Sequence, residues 1–161
     1  PLEDAEAARR AAEALKADEL HDPHLRGEAM SDAASVVSAH PGVREALLAF
    51  QRDFAAQRPG AVLDGRDIGT VVCPLAEVKL FITAAAEERA RRRHLELLGR
   101  GVTADFTTIL EDIRRRDERD RSRATAPLKA AADALTLDTT NLDADAVFRA
   151  ALALVDGRRK S

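Results

Sequence analysis

Apolar positions recur with a helical period through the first part of the chain. Ala8, Ala12 and Leu15 share one narrow stripe, which predicts an alanine-rich helix over 3–16. "HDPHLRG" at 21–27 carries Pro23 and Gly27 and predicts a break. Met30, Ala33, Ala34 and Val37 follow at i, i+3, i+4 and i+7, predicting a second helix over 28–39. After His40-Pro41-Gly42, the residues Val43, Leu47, Phe50 and Phe54 predict a third amphipathic helix that ends before Arg58-Pro59-Gly60.

Beyond Gly60 the texture changes. "AVLDG" (61–65) is a short apolar run stopping at a carboxylate and a glycine, as a buried parallel strand does. "VKLFIT" (78–83) and "ALTLDTT" (134–140) predict two more strands. Between them lie a Glu/Arg-rich helix over 86–98, closed by Gly99 and Gly101, and a helix over 105–122. A last helix starts near Asp143, with Val147, Phe148, Ala151, Leu152 and Val155 on one face. Strands separated by helices predict an α/β fold with a parallel sheet covered on both sides. The division expected is a helical region over 1–58 and a core sheet over 59–161.

Composition narrows the function. A 45% hydrophobic content is enough to bury a core. Twenty-five basic and 28 acidic side chains leave a net charge of −3, whereas a general nucleic-acid binder draws its affinity from an excess of basic charge. With five Phe and no Trp or Tyr, a stacking platform for single strands is also unexpected. Cys73 is alone, and no Cys/His cluster has metal-ligand spacing, so neither a disulfide nor a bound metal is expected. No apolar run approaches the roughly 20 residues of a membrane span, and no signal peptide is visible. The expected compartment is the cytoplasm. Starting at Pro1 without an initiator Met, the chain is expected to be a fragment or a trimmed product.

Three stretches carry candidate chemistry. In "LDGRDIGT" (63–70), Gly65 and Gly69 permit a sharp turn around Arg66 and Asp67, at the carboxyl end of the first expected strand. Ligands of parallel α/β sheets sit there, and an arginine fork binds two phosphate oxygens at once. The plainer reading is a strand-to-loop turn with a local ion pair. "RRRDERDRSR" (114–123) places Arg116, Asp120 and Arg123 on one helical face with Arg119 beside it; Arg114, Glu118 and Arg121 point elsewhere and are expected to pair within the helix. As a solvated charge run it would contribute only about 0–1 kcal/mol per pair. The "RATAPL" loop that follows favours arginines reaching into a cleft. In "EERARRRHLELLGRG" (87–101), Arg89, Arg92 and Arg93 share a face beside a glycine-flanked turn. Arginines on three elements fit one small ligand with more than one phosphate. A rival is an Arg-rich helical module that binds nucleic acid or protein without catalysis.

"AASVVSAHPGVREALLAFQRDFA", "AVLDGRDIGTVVCP", "EERARRRHLEL", "RRRDERDRSRATAPL" and "AADALTLDTT" together resemble a bacterial cytidylate (CMP) kinase, in order and with family-like spacing from about residue 25 to 155. Residues 1–24 match poorly. The resemblance implies a P-loop kinase fold with a helical region that binds the nucleoside monophosphate and an arginine-bearing lid over about 86–104. It implies transfer of the ATP γ-phosphoryl group to CMP or dCMP with Mg²⁺, in pyrimidine metabolism, with no nucleic-acid or membrane partner. A monomer is expected of the full-length protein. By resemblance, Ser35 and Arg44 contact cytosine, Arg66 holds the acceptor phosphate, and Asp67 stands near the cytosine amino group. Asp120 would hold the sugar hydroxyls, Arg116 and Arg123 the phosphates, and Arg89, Arg92 and Arg93 would close over ATP. The sequence contains no G-x-x-x-x-G-K-[ST] motif, whose amides and lysine cradle ATP phosphates. The first strand and that loop are expected upstream of Pro1, and these 161 residues alone are expected to be catalytically dead.

Overall fold

A computed structural model of the protein describes residues 2–16, 22, 25, 28–124 and 126–159. The break expected at 21–27 lies, apart from Asp22 and Leu25, outside the described residues. The chain divides into two compact units, Pro1–Asp64 and Gly65–Ser161.

The first unit is helical: α1 (Ala5–Ala14), α2 (Glu28–Val37) and α3 (Pro41–Ala55). Asp4 starts α1 by accepting the Glu6 and Ala7 amides at 3.1 and 2.9 Å, donors that the first helical turn leaves unpaired. Pro41 opens α3, where its missing N–H costs nothing. α1 packs on α3, the stem of Arg9 lying so close to Gly42 that a β-carbon there would meet it at 3.0 Å. Along α3 the expected stripe is graded. Val43 is buried, whereas Phe50 and Phe54 are exposed. On α2 the inward residue is Ser35; Met30 and Ala34, expected to face the core, are exposed. A stripe made largely of alanines marks a face weakly, because little apolar area is at stake in turning it.

In the second unit, β1 (Leu80–Thr83) and β2 (Leu135–Asp138) pair in parallel, Leu80 opposite Leu135 and Thr83 opposite Asp138. The ladder is extended at both ends, by the Leu135 amide on the Lys79 carbonyl at 2.9 Å and by the Thr139 amide on that of Thr83 at 2.8 Å. α4 (Ala86–Gly99) and α5 (Phe106–Ser122) form an antiparallel pair, and α6 (Ala144–Arg159) packs on β2. The architecture is α/β, a parallel sheet flanked by helices, but the sheet has two strands among the described residues. The run 61–65 is not a third: it finds no ladder partner, and Val62 is 96% exposed. An apolar run becomes a strand only where another strand supplies hydrogen bonds. Just after it, Ile68–Val72 coils into a single π-helical turn.

The core of this unit is small. Ala90, Leu97 and Ile109 are buried together, with Ala104, Leu110 and Ile113 packed around them. α4 closes in a Schellman turn: the Val102 and Gly101 amides reach the Leu97 and Leu98 carbonyls at 2.9 Å each, and Gly101 supplies the required φ of +74°. Asp105 then starts α5, accepting the Thr108 amide at 2.7 Å. On α6 the apolar stripe is only partly used, Phe148 and Leu152 remaining exposed.

With so few buried side chains, each counts. Ile109→Ala is expected to lower stability by about 2–5 kcal/mol in urea titration, through lost burial plus the cavity left. Leu95→Ala, at a position 53% exposed on the neighbouring helix, should stay within about 0.5 kcal/mol of wild type. Equal losses would mean that the Ala90–Leu97–Ile109 cluster does not hold the unit together.

Candidate functional site: an arginine cluster around two aspartates of α5

One face of α5 carries Arg116, Asp117, Asp120 and, at its end, Arg123. Asp120 is 4% exposed, an unusual place for an acid. Two arginines make it tolerable. One carboxylate oxygen accepts from Arg66 Nε at 2.9 Å, the other from Arg123 Nη2. Arg123 is itself buried, with 8% of its side chain exposed, whereas Arg66 is half exposed. The Leu128 amide folds back onto the Asp120 carbonyl at 2.7 Å, so the segment after the helix is drawn over the same point.

Donors remain. Arg123 Nε is buried without a hydrogen-bond partner among the described residues. Arg66 donates to Asp120 through Nε, and half of its side chain is exposed. A buried N–H without an acceptor costs about 1–3 kcal/mol, so this corner is short of acceptor oxygens. Arg116 lies one turn before Asp120 on α5, half buried.

Asp117 was not among the residues singled out from the sequence. It accepts a two-point clamp from Arg89 of α4, at 2.9 and 2.6 Å, while Arg89 Nε donates to the Ala84 carbonyl at 3.1 Å. Arg89 holds the Asp117 carboxyl below the usual aspartate range, helped by the charges of Arg121 and Arg66. Arg66 therefore senses both acids. Its spacing of three before Asp120 was the available signal for Asp117, since i and i+3 are neighbours on a helix.

The other expected lid arginines face elsewhere. Arg92 donates to the Thr139 hydroxyl and the Leu142 carbonyl, both at 3.2 Å, and to the Thr139 carbonyl, pinning the turn after β2. Glu88 braces it at 2.9 Å and, with Arg91 the stronger influence, is pulled down to about 2. Arg93 pairs with Glu96 of its own helix at 2.9 Å. The structure thus brings Arg66, Arg123 and Asp120 together, with Arg89 one aspartate away, and sends Arg92 and Arg93 to other partners. Arg114, expected to pair within α5, instead reaches Glu87 of α4 at 2.6 Å, because the antiparallel helices bring opposite charges closer than its own helix does.

Asp67 is half buried, and its backbone carbonyl is the hub of the π-helical turn, accepting the Val71 and Val72 amides at 2.8 and 3.3 Å. Gly65 is needed beside it: a β-carbon there would sit 2.9 Å from Ile68. In the first unit, Arg44 Nη1 donates to the Ser38 carbonyl at 3.2 Å and the Ser38 hydroxyl to that of buried Ser35 at 3.1 Å, so Ser35 and Arg44 share one corner. Among the described residues, no three acids, cysteines or histidines come together as metal ligands.

The family model described as cytidylate kinase matches residues 3–157. The cytidylate kinase of Afipia carboxidovorans is 56% identical over 158 residues, covering 98% of this chain and 76% of that protein. That of Rhodopseudomonas palustris strain BisB18 is 58% identical over 158 residues (98% and 74%), and that of Methylocella silvestris 55% over 160 (99% and 74%).

The pairings fix two expected outcomes. Arg123→Ala strands the buried Asp120 charge and should cost about 3–5 kcal/mol in urea titration, whereas half-exposed Arg66→Ala should cost about 1. Equal costs would place Asp120 in contact with water. The second concerns pH. The folded Asp117 carboxyl lies below its ordinary value of 3.8, so its stabilisation is fully present above that value and fades as pH falls through the lowered one. Asp117→Asn should be less stable than wild type at neutral pH, and the gap should close in acid. A gap constant with pH would show that the charge on Asp117 contributes nothing.

Proposed function

This chain belongs to the cytidylate kinase family, and we propose that its arginine cluster holds the phosphate of CMP or dCMP while the γ-phosphoryl group of ATP is transferred to it. The observation that supports the reading best is the pair of guanidiniums, Arg66 and Arg123, bound to opposite oxygens of one buried aspartate. A carboxylate so held fixes both arginines before any ligand arrives, and preorganised donors need no rearrangement during reaction.

The reaction joins an oxygen of the CMP phosphate to the γ-phosphorus of ATP and breaks that phosphorus's bond to the β-phosphate bridging oxygen. CDP and ADP result. Because the transition state is loose and spreads charge over the moving phosphoryl, catalysis consists mainly of positioning and charge stabilisation. Arg66, whose Nη groups make no hydrogen bond among the described residues, holds the acceptor phosphate; Arg123 and Arg116 follow the transferred group. Asp120 orients these arginines and offers its remaining lone pairs to a sugar hydroxyl. No general base is required, since the acceptor phosphate is already ionised.

The charges also suit an anionic ligand. Arg66, Arg89, Arg121 and Arg123 all pair with Asp117 or Asp120, more guanidiniums than carboxylates. Mg²⁺ is proposed to enter with ATP and to shield its phosphates; the described acids do not form a cage for it, and no step here runs through it. Arg89, Arg92 and Arg93 are proposed to act on the ATP side only if their present pairs open. The proposal includes a cytoplasmic monomer; no described helix is long and apolar enough to cross a membrane.

Asp67 is proposed to read the base; Ser35 and Arg44, in the first unit, are proposed to contact cytosine on the strength of the family resemblance alone. Cytosine offers an amino donor where uracil offers an acceptor, so a carboxylate accepts from the first and repels the second. An unpaired buried polar group costs about 1–3 kcal/mol, more when charged. The nucleic-acid reading is disfavoured by the net charge of −3 and by arginines already matched to acids.

Two measurements test the proposal. CMP should raise the melting temperature of the chain, by an amount equivalent to about 2.7 kcal/mol at a hundred times its Kd, and GMP should not. The full product of the gene should phosphorylate CMP at least about 10-fold more efficiently than UMP, with Asp67→Asn narrowing the ratio. Equal stabilisation by GMP would overturn the site, and equal efficiencies would overturn the role of Asp67.

A further inference from the structure

A buried lysine sits behind the loop that carries Arg66, and no step of the reaction uses it. Lys79 precedes β1 and exposes only 7% of its side chain. Lysine is almost never so enclosed unless its charge is met. Here the ammonium donates to both oxygens of Asp133, at 2.9 and 2.7 Å, and to the Pro74 carbonyl at 2.5 Å. All three of its protons are used.

Its stem is engaged as well. A β-carbon on Gly69 would lie 3.3 Å from the Lys79 δ-carbon, so the π-helical turn rests directly on the lysine's methylenes. Pro74, on the far side of the turn, is tied to the head of the same side chain. The backbone of Lys79 is fixed in turn, its carbonyl accepting the Leu135 amide next to β2. The loop is therefore wrapped around one side chain, touched within the turn at Gly69 and after it at Pro74, and referred to the sheet. On its other flank the turn hangs from the carbonyl of Asp67, the residue after Arg66.

We infer that Lys79, braced by Asp133, is the positioning residue of the acceptor-phosphate site: it sets the π-helical turn that aims Arg66 at Asp120 and at the ligand. The inference rests on the proposed role of Arg66. Arg66 is half exposed and its one hydrogen bond among the described residues is to Asp120, so its direction depends on the loop that carries it. Asp133 lies on the segment leading into β2 and its carboxyl is held below the usual range chiefly by the Lys79 ammonium, so the brace stays charged at neutral pH. The π-helical turn is itself a rare conformation that recurs at functional sites, and one that needs outside support.

The test uses the whole chain with Lys79→Met, which keeps the length of the stem and removes the charge. Amide exchange at Val71, Val72 and Cys73 should accelerate about 10-fold or more, while exchange around Ile109 stays as in wild type. CMP affinity, measured by calorimetry, should fall roughly 10- to 100-fold, the range for misplaced or unsupported ligand groups. In an Arg66→Ala background the same change should weaken CMP binding no further, because there is nothing left to aim. Asp133→Asn, at an exposed position, should move both readouts the same way by a smaller factor. Unchanged exchange and affinity overturn the inference, as does an undiminished loss in the Arg66→Ala background, which would make Lys79 a general support of the fold. Failure of the underlying reading looks different: Arg66→Ala would then bind CMP as tightly as wild type, whatever Lys79→Met does to the exchange.

Discussion

Taking a carboxylate out of water costs several kcal/mol, and attraction to a partner repays this only when the geometry is good and the other lone pairs are met. Asp120 satisfies that condition with one arginine on each oxygen. Because it is nearly inaccessible, it cannot exchange either partner for water, and the arginines are bound by the same requirement. That constraint joins three stretches distant in sequence: the loop at Arg66, the end of α5 and, through the Leu128 amide, the segment after it. The apolar core nearby, built on Ala90, Leu97 and Ile109, secures α4 to α5 but does not reach these loops. Pairing of charge, more than packing, gives the site its shape.

The same pairing would let an acidic protein hold the anion proposed for this site. Arginines that converge without acids between them would repel one another and unfold the site when it is empty. Asp117 and Asp120 prevent this: Asp117 is clamped at two points by the planar Arg89 guanidinium, a geometry lysine cannot copy, and Asp120 takes one arginine on each oxygen. A phosphate bound as proposed could take the other Arg66 donors without breaking the bond to Asp120, which runs through Nε.

Helices were legible in the sequence because their apolar period is long enough to average out single exceptions, as α3, α4 and α5 show. Where alanine carried the pattern, on α2, the face came out rotated. Strands of four residues depend on their neighbours, so "VKLFIT" and "ALTLDTT" found each other while "AVLDG", equally apolar, remained without a ladder. Helical spacing placed Arg123 beside Asp120 but could not say which groups from other elements meet them. Arg66 was read from its glycine-flanked turn, but its contact with Asp120 spans 54 positions. Arg114 choosing Glu87, and Arg92 choosing the turn after β2, are likewise decisions of tertiary structure. Lys79 left no mark at all, because one lysine before a strand is the plainest residue a sequence can offer.

What distinguishes these long-range contacts is that they link elements differing in rigidity. α5 is a seventeen-residue helix and an unyielding platform, whereas the loop around Gly65 and Gly69 owns no regular hydrogen bonding beyond one π-helical turn. A ligand gripped between such parts is positioned only as well as the weaker one is held. Arg123, buried and carried by the helix end, needs no help. Arg66 does, and the sheet provides it through the residue that precedes β1, so that the strand pair supports the site. The two-stranded sheet and the charged cluster are then one mechanical unit: β1 and β2 fix Lys79 and Asp133, these fix the turn, and the turn delivers Arg66 to an aspartate that cannot be left alone.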